Sequence, residues 1–210
     1  MDSEAARSSG APTAERLGLL GGTFDPVHVG HLVAARTVLE VLHLERVLLV
    51  VAGDPWQKSG RVHAAARDRL EMVEAAVAGV PGLEASSIEV TRAGPSYTAD
   101  TLAELSSPGR DLFLIVGSDV AARLDTWVRV EEVKRLATLV MVERAGDDPA
   151  GADLAGWRVE RVAMPRIDVS STEIRRRVAD GLRVDFEVPA GAVRIIEDRC
   201  LYTRRDDEGS

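Results

Sequence analysis

The chain has 210 residues, of which 45% are hydrophobic and 29% charged, with a formal net charge of −8. This composition is typical of one soluble α/β domain, and the negative charge argues against a general affinity for nucleic acid or an anionic membrane. Cys200 is the single cysteine, so no intrachain disulfide can form, and we expect a reducing, cytoplasmic setting and a packing role for this thiol. No apolar run is long enough to span a bilayer, and the first residues lack the apolar core of a signal peptide.

Short apolar runs alternate with longer amphipathic stretches from Leu17 onward, whereas residues 1–15 are small and polar and are expected to be disordered. The predicted strands are Leu17–Leu20, Arg46–Val51, Leu83–Val90, Leu112–Val116, Thr138–Val142 and Arg158–Ala163. The predicted helices are Gly30–Leu42, Ala64–Ala78, Thr98–Leu105, Ser118–Leu124, Val130–Leu136, Ser171–Asp180 and Ala192–Cys200. This order predicts a single α/β domain at 16–203, with a Rossmann-like, doubly wound and mostly parallel sheet covered by helices on both faces. We expect residues 204–210 to form a frayed, charged tail.

The most informative segment is Gly21–His31, which reads GGTFDPVHVGH. It follows the first predicted strand and opens the first predicted helix, where open α/β sheets gather their ligands. Gly21 and Gly22 let a phosphate approach the backbone closely, and the N–H groups at a helix N-terminus favour an anion. With two imidazoles at the same point, His28 and His31, the segment predicts a phosphate cradle. The alternative is a tight turn whose histidines only cap the helix.

A second constellation, Val169–Arg175, reads VSSTEIR and opens a helix near the C-terminus. Ser170 or Ser171 can cap this helix, and Arg175, about one turn in, could reach phosphate oxygens. Ser170 also has the capping-box spacing to Glu173, so ordinary capping is an alternative that is compatible with phosphate binding. Of three consecutive arginines only Arg175 is expected to face the site, because successive helical residues point about 100° apart.

Together these segments resemble the paired H-x-G-H and (I/V)-S-S-T-x-I-R signatures of the nucleotidyltransferase superfamily. Three further segments, PSYT at 95–98, GSD at 117–119 and DTW at 125–127, resemble those of bacterial nicotinate-mononucleotide adenylyltransferases. The resemblance runs from about Leu17 to Tyr202. It implies transfer of the adenylyl group of ATP to nicotinate mononucleotide in NAD biosynthesis, by in-line displacement without a covalent intermediate, giving nicotinate adenine dinucleotide and pyrophosphate.

The resemblance also implies roles for individual residues. The catalytic donors would be His28, His31, Thr23, Lys58 and Arg175. The residues that bind ATP would be Gly21, Gly22, Thr23, His28, His31, Gly117, Asp119, Ser170, Ser171 and Arg175. Those that bind the nicotinate nucleotide would be Asp25, Lys58, Tyr97, Thr98, Trp127 and Val128. Trp127 would stack on the pyridine ring, and a plain core position is the alternative for Trp127 and Tyr97.

One segment departs from the family pattern. Residues 53–58 read GDPWQK where many members have a proline-proline-histidine-lysine loop, so that histidine is absent and only Lys58 is retained. Trp56 and Gln57 are the candidates to substitute for the histidine. No Cys/His cluster has zinc spacing, so no protein-built metal site is predicted, and Mg²⁺ would arrive on ATP.

The expected partners are therefore ATP and nicotinate mononucleotide, without nucleic acid or membrane, and a homo-oligomer stays open. Two other functions compete with this one. The first is a nucleotidyltransferase for nicotinamide mononucleotide or phosphopantetheine, which would share both end motifs. The second is a nucleotide-binding sensor that has lost catalysis. A tRNA-charging fragment is disfavoured because the chain is too short and too acidic.

Overall fold

The computed structural model describes residues 14–53, 62–144 and 154–204, which form a six-stranded sheet and seven α-helices. The strands are β1 (Glu15–Gly22), β2 (Arg46–Val51), β3 (Leu83–Ser86), β4 (Arg110–Gly117), β5 (Ala137–Arg144) and β6 (Val159–Met164). The helices are α1 (Val29–Val41), α2 (Ala66–Val77), α3 (Thr98–Leu105), α4 (Ser118–Ala121), α5 (Val130–Leu136), α6 (Ser171–Ala179) and α7 (Ala190–Asp198). A short 3-10 helix, Leu124–Thr126, lies between α4 and α5. The predicted α/β fold is confirmed.

All the strand pairs described are parallel, and the sheet order is β3-β2-β1-β4-β5-β6. The chain therefore builds outward from β1 in one direction, then returns to the centre and builds outward from β4 in the other. The point where the order reverses lies between β1 and β4. Ligands of open α/β sheets bind outside the carboxyl ends of the strands at such a switch point.

Two apolar clusters cover the two faces of the sheet. One cluster packs buried residues of α1, α2, α6 and α7 against the strands, and the other packs residues of α3, α4 and α5. The central strand β4 shows why both faces are apolar, since Phe113 and Ile115 belong to the first cluster and Leu112, Leu114 and Val116 to the second. A strand buried on both sides reads as a continuous apolar run, as the sequence does at Leu112–Val116.

Some predicted boundaries are wrong. The predicted strand Leu83–Val90 ends at Ser86, because the chain turns at 88–90, where the carbonyl of Ser87 accepts the N–H of Thr91. The predicted helix Ser118–Leu124 ends at Ala121, and Leu124 instead begins the 3-10 helix. Glu15 was included in the segment predicted to be disordered, but it begins β1, where Arg46 and Arg110 bind its carboxylate.

The rest of the predicted disordered segment, residues 1–13, lies outside the described residues, as does 205–210 of the predicted tail. Cys200 has an exposed side chain, so the packing role predicted for it is wrong. Its φ of 50° places it on a turn just after α7, where the thiol donates to the carbonyl of Glu197 at 3.8 Å. Within the described ranges, every helix is too short or too polar to cross a bilayer.

Candidate active site

The predicted site residues follow the carboxyl ends of parallel strands, so the sheet gathers them at one edge. They end or follow β1 (Gly21 to His31) and β4 (Gly117, Asp119, Trp127 and Val128), and they follow β3 (Tyr97 and Thr98) and β6 (Ser170, Ser171 and Arg175). Lys58, with Trp56 and Gln57, lies outside the described residues, and its predicted role stays a prediction. The fold thus brings segments far apart in sequence to the edge where a nucleotide would bind.

His28 and His31 lie against each other at the start of α1. Their rings stack with centroids 3.7 Å apart and an interplanar angle of 23°. The backbone N–H of His28 donates to Nδ1 of His31 at 3.2 Å, as the third helical residue does in a capping box, and the backbone N–H of His31 donates to the carbonyl of His28 at 3.0 Å. Because Nδ1 of His31 accepts, the neutral ring carries its proton on Nε2, which makes that atom the donor of the ring. The histidines therefore do cap the helix.

The inner side of this loop is tightly packed. His28 is buried, and a Cβ on Gly30 would come within 3.1 Å of both His28 Nδ1 and Val169 Cγ1, so a larger residue there would press on both side chains. Phe24 takes a left-handed φ of 50° and places its ring edge-on to that of His31, with the centroids 4.9 Å apart. The packing of Gly30 and Phe24 against the two imidazole rings thus restricts their positions.

The outer side is open at the end of β1. A Cβ added to Gly21 would meet no described atom within 4 Å, whereas one on Gly22 would come within 2.9 Å of the Phe24 ring. Gly21 is exposed and His31 is half-buried. The loop therefore presents backbone to open space at the position predicted for a phosphate.

Helix α6 begins as the capping-box spacing predicted. The hydroxyl of Ser170 accepts the backbone N–H of Glu173 at 3.2 Å. Arg176 pairs with the Glu173 carboxylate, and Arg177 donates to the carbonyl of Arg183 at 2.8 Å. These two arginines are thus held along α6 and its following turn.

Ser171 and Arg175 instead turn toward the histidine loop. The hydroxyl of Ser171 donates to the carbonyl of Pro26 at 2.9 Å. Nη1 of Arg175 donates to the carbonyl of Asp25 at 2.6 Å, which places its guanidinium next to the histidine-bearing segment. The structure therefore brings the two sequence motifs into direct contact, and Arg175 is the one of the three consecutive arginines that reaches the loop.

Asp25 has an internal role that the sequence did not indicate. Its carboxylate is 4% exposed and accepts three hydrogen bonds, from the N–H of His63 at 2.8 Å, the N–H of Ala64 at 3.1 Å and the hydroxyl of Tyr202 at 2.7 Å. Burial and the neighbouring Asp25 carboxylate raise the pKa of the Tyr202 phenol, which keeps its proton and donates. Since its oxygens are engaged inside the protein, the geometry favours a positioning role for Asp25 over the predicted contact with a nucleotide.

Arg69 is a second residue that sequence reasoning missed. It is 1% exposed and donates to the carbonyls of Thr23 at 2.6 Å, Gly53 at 3.2 Å and Ala64 at 3.2 Å. Burial lowers the pKa of its guanidinium, and the charge of Asp25 opposes that shift. Arg69 thus joins the loop after β1 to the chain on both sides of residues 54–61. A signal was present, because Arg69 lies on the buried face of α2, in register with Met72, Val73 and Ala76.

Two segments predicted to hold the pyridine nucleotide lie next to each other. Tyr97 is half-buried at the N-cap position of α3, and Trp127 is half-buried against the second apolar cluster. Arg129, which has a left-handed φ of 56°, forms an ion pair with Asp100 of α3 and so ties the two segments together. Val128 is 40% exposed between them. The core alternative for Trp127 and the stacking role are both compatible with this half-burial.

A carboxylate also lies beneath the Tyr97 segment. Oε1 of Glu89 accepts a hydrogen bond from the hydroxyl of Thr101 at 2.7 Å. Burial raises the pKa of Glu89 above its ordinary value, against the effect of the hydrogen bonds and of Arg92. Glu89 therefore joins the chain that precedes Tyr97 to helix α3.

The end of β4 offers a second carboxylate near the switch point. Asp119 is exposed in the first turn of α4, and a Cβ on Gly117 would come within 2.8 Å of its Oδ1. The absence of a side chain at Gly117 therefore leaves the Asp119 carboxylate accessible. Among the described residues, no group of three or more His, Cys, Asp or Glu side chains is placed to hold a metal ion.

A hollow of about 300 Å³ lies beside α6, and neither histidine lines it. It is lined by Ile167, Asp168, Val169, Ser170, Glu173, Ile174, Arg177 and Glu187. Ser170 is the predicted site residue that borders it.

Comparisons with known proteins agree with this geometry. The model of the cytidylyltransferase-like family matches residues 19–177. A protein of Saccharopolyspora erythraea named "Probable nicotinate-nucleotide adenylyltransferase" is 44% identical over 194 residues, which cover 91% of this chain and 92% of that protein. A protein of the same name from Streptomyces coelicolor is 44% identical over 185 residues, covering 87% and 98%.

Solved structures show the same fold at lower identity. Nicotinic acid mononucleotide adenylyltransferase of Plasmodium falciparum, complexed with NaAD, superposes with a TM-score of 0.75 at 17% identity, over 90% of this chain and 97% of that one. With both motifs joined at the switch point and these relatives along nearly the whole length, the chain belongs to the cytidylyltransferase-like family and groups with its nicotinate-nucleotide adenylyltransferases.

Proposed function

We propose that this chain transfers the adenylyl group of ATP to nicotinate mononucleotide, giving nicotinate adenine dinucleotide and pyrophosphate. The observation that carries this is the joining of the two motifs, in which Arg175 of α6 donates to the loop that bears His28 and His31. The names of the relatives that are 44% identical support the reaction and the acceptor. The structural neighbour complexed with NaAD supports a fold able to hold the product.

The chemistry needs little acid–base help from the protein. The phosphate monoester of nicotinate mononucleotide is largely ionised at neutral pH, and one of its oxygens attacks the α-phosphorus of ATP. The bond from that phosphorus to the bridging oxygen breaks in line, and pyrophosphate leaves with the electron pair. The enzyme must offset the repulsion of two polyanions and the charge that builds on the bridging and leaving oxygens.

Fixed donors at the switch point meet that need. His31 would donate from Nε2 while its Nδ1 keeps the cap, and His28, stacked on it, would act beside it. Arg175 would add a permanent charge, and Thr23 and Lys58 would add further donors. The capping role and the phosphate role are compatible, because each uses a different nitrogen of the His31 ring.

The adenosine would lie across the end of β4. Gly117 would let it approach the strand, and the Asp119 carboxylate would accept from a ribose hydroxyl. The phosphates would then pass over Gly21 and Gly22 toward α1 and the start of α6, where Ser170 and Ser171 lie. Mg²⁺ would arrive on the triphosphate and neutralise part of its charge.

The pyridine nucleotide would occupy the side of Tyr97 and Trp127. Trp127 would stack on the ring, and backbone N–H groups near Thr98 and Val128 would bind the ring carboxylate that distinguishes nicotinate from nicotinamide. The ion pair between Arg129 and Asp100 would hold these two walls at a fixed separation. We further propose a cytoplasmic enzyme whose partners are its two nucleotide substrates.

Pyrophosphate release with a panel of acceptors tests the function. The purified chain is given ATP with nicotinate mononucleotide, nicotinamide mononucleotide or phosphopantetheine, and kcat/KM is compared. We expect nicotinate mononucleotide to be the best acceptor. Faster turnover of another acceptor would overturn the substrate assignment, and ATP binding without any turnover would favour a sensor.

A further inference from the structure

Four side chains, Asp25, Arg69, Arg175 and Tyr202, form what we call the Asp25 cluster. They come from the loop after β1, from α2, from α6 and from the segment that follows α7. The cluster is built around a carboxylate that is almost fully buried, with one cation, Arg69, buried nearby. A buried charge is costly unless it is paired and hydrogen-bonded, so this arrangement has to serve either stability or function.

The geometry separates those two possibilities. Asp25 contacts the candidate site through two different groups. Its carboxylate accepts from the N–H groups of His63 and Ala64, which follow the segment that bears Lys58. Its backbone carbonyl accepts from the guanidinium of Arg175. One residue thus binds Arg175, a predicted phosphate donor, and also the chain at His63 and Ala64, which come after Lys58 in the sequence.

Tyr202 completes the arrangement from the far end of the chain. Its hydroxyl donates to Asp25 Oδ1 at 2.7 Å, the oxygen that also accepts from Ala64. Its ring packs against the first apolar cluster, which fixes the hydroxyl in place. A Tyr202→Phe change would remove this one donor and leave the apolar contacts of the ring.

We propose that Asp25 and Tyr202 are positioning residues, which act through Arg175 to hold the phosphate-binding donors in their working geometry. Tyr202 orients the Asp25 carboxylate, and the Asp25 carbonyl orients the Arg175 guanidinium toward the histidine loop. Neither Asp25 nor Tyr202 touches a substrate. The inference rests on the proposed function, because it assumes that Arg175 meets the phosphates of ATP.

A double-mutant cycle tests whether Tyr202 acts through Arg175. The cycle compares wild type, Tyr202→Phe, Arg175→Ala and the double variant, with kcat/KM for ATP and the dissociation constant of ATP alone as readouts. We expect Tyr202→Phe to lower kcat/KM for ATP about tenfold and to leave KM for nicotinate mononucleotide within about twofold. In the Arg175→Ala background the same change should cost less than about twofold.

A matched control is available one residue away. Thr203 donates its hydroxyl to the carbonyl of Cys200 at 2.8 Å outside the cluster, so Thr203→Val also removes one hydroxyl donor and should behave as wild type. The isosteric Asp25→Asn places an amide among three donors and should reproduce the loss for ATP. A rise in KM for nicotinate mononucleotide alone would instead make Asp25 a substrate ligand and overturn the proposal.

Two further results would also overturn it. One is a Tyr202→Phe variant with a lower unfolding midpoint but wild-type affinity for ATP. The other is a tenfold loss of kcat/KM for ATP on Tyr202→Phe that is equally large in the Arg175→Ala background. Failure of the proposed function can be told apart from failure of this inference. If the chain uses another acceptor, the double-mutant cycle can still be measured through kcat/KM for ATP, because ATP is the substrate common to all the reactions tested. A wild-type chain that does not bind ATP would contradict both.

Discussion

His31 has two tasks in this account, and a pair of substitutions separates them. Nδ1 of the ring accepts the N–H of His28 and caps α1, whereas Nε2 is the donor proposed for the phosphates. His31→Ala removes both functions. His31→Gln keeps an acceptor at a capping-box position where glutamine is a natural occupant, but it removes the imidazole.

The two losses differ in size. Losing a helix cap costs about 1 kcal/mol of unfolding free energy, which lowers the unfolding midpoint of a chain of this length by about 2–4 °C. Losing one preorganised donor to the transition state costs about 2.7–4 kcal/mol, or about 10²–10³ in kcat. A domain stable by about 5–15 kcal/mol stays folded after the first loss, so partial unfolding cannot account for the second.

The assay measures thermal unfolding and pyrophosphate release on the same preparations. We expect His31→Ala to lower kcat about 10²–10³-fold and the unfolding midpoint by about 2–4 °C. His31→Gln should restore the unfolding midpoint while its kcat stays low. Recovery of activity in step with stability in His31→Gln would refute the reasoning and leave capping as the only role. A loss in His31→Ala of about fivefold or less, the equivalent of about 1 kcal/mol, would refute it as well.

Three further substitutions test other parts of the account. Trp127→Ala should raise KM for nicotinate mononucleotide about 2- to 12-fold and change KM for ATP far less; equal effects on both would remove Trp127 from the ring pocket. Arg69→Met should lower the unfolding free energy by about 3–5 kcal/mol in urea titrations, since it leaves Asp25 and three carbonyls without their cation. Arg67→Met, at a side chain that is 87% exposed on the same helix, is the control and should change little. For Glu89, the folded-state pKa lies above the ordinary 4.5, so its protonation favours the folded chain at low pH and that stability is lost as the pH rises through the raised pKa. The unfolding free energy of wild type should therefore fall relative to that of Glu89→Gln as the pH increases above about 4.5. A difference in unfolding free energy that does not change with pH would contradict the burial of this carboxylate.

Local pattern predicted most of the fold. The strand at Arg46–Val51 and the helices at Thr98–Leu105 and Val130–Leu136 have the predicted bounds. The apolar residues of these elements are the ones that face the core, so the sequence pattern and the tertiary structure agree. The strand that begins at Leu83 was predicted too long because the apolar residues Ile88 and Val90 lie in or at the end of a turn that follows the strand.

The site was predictable where its chemistry is local and was missed where it is not. The contiguous motif around His28 and His31 is visible in the sequence, and helical periodicity singles out Arg175 among the three consecutive arginines. Its contact with the histidine loop comes from the structure, because β6, the strand before α6, is not paired with β1. Tyr202 and Asp25 are 177 positions apart, and no local pattern relates a phenol to a carboxylate over that distance. Capping, which the sequence offered as an alternative to phosphate binding, is compatible with it, because an imidazole ring has two nitrogens that can serve different partners.

A structure of the chain with nicotinate adenine dinucleotide tests the central claim most directly. The account predicts that the phosphates lie beside Gly21, with His31 Nε2 and the Arg175 guanidinium within about 3.2 Å of their oxygens and the helix cap still intact. A dinucleotide bound elsewhere, with both histidine rings still packed against each other and away from every phosphate, would contradict it.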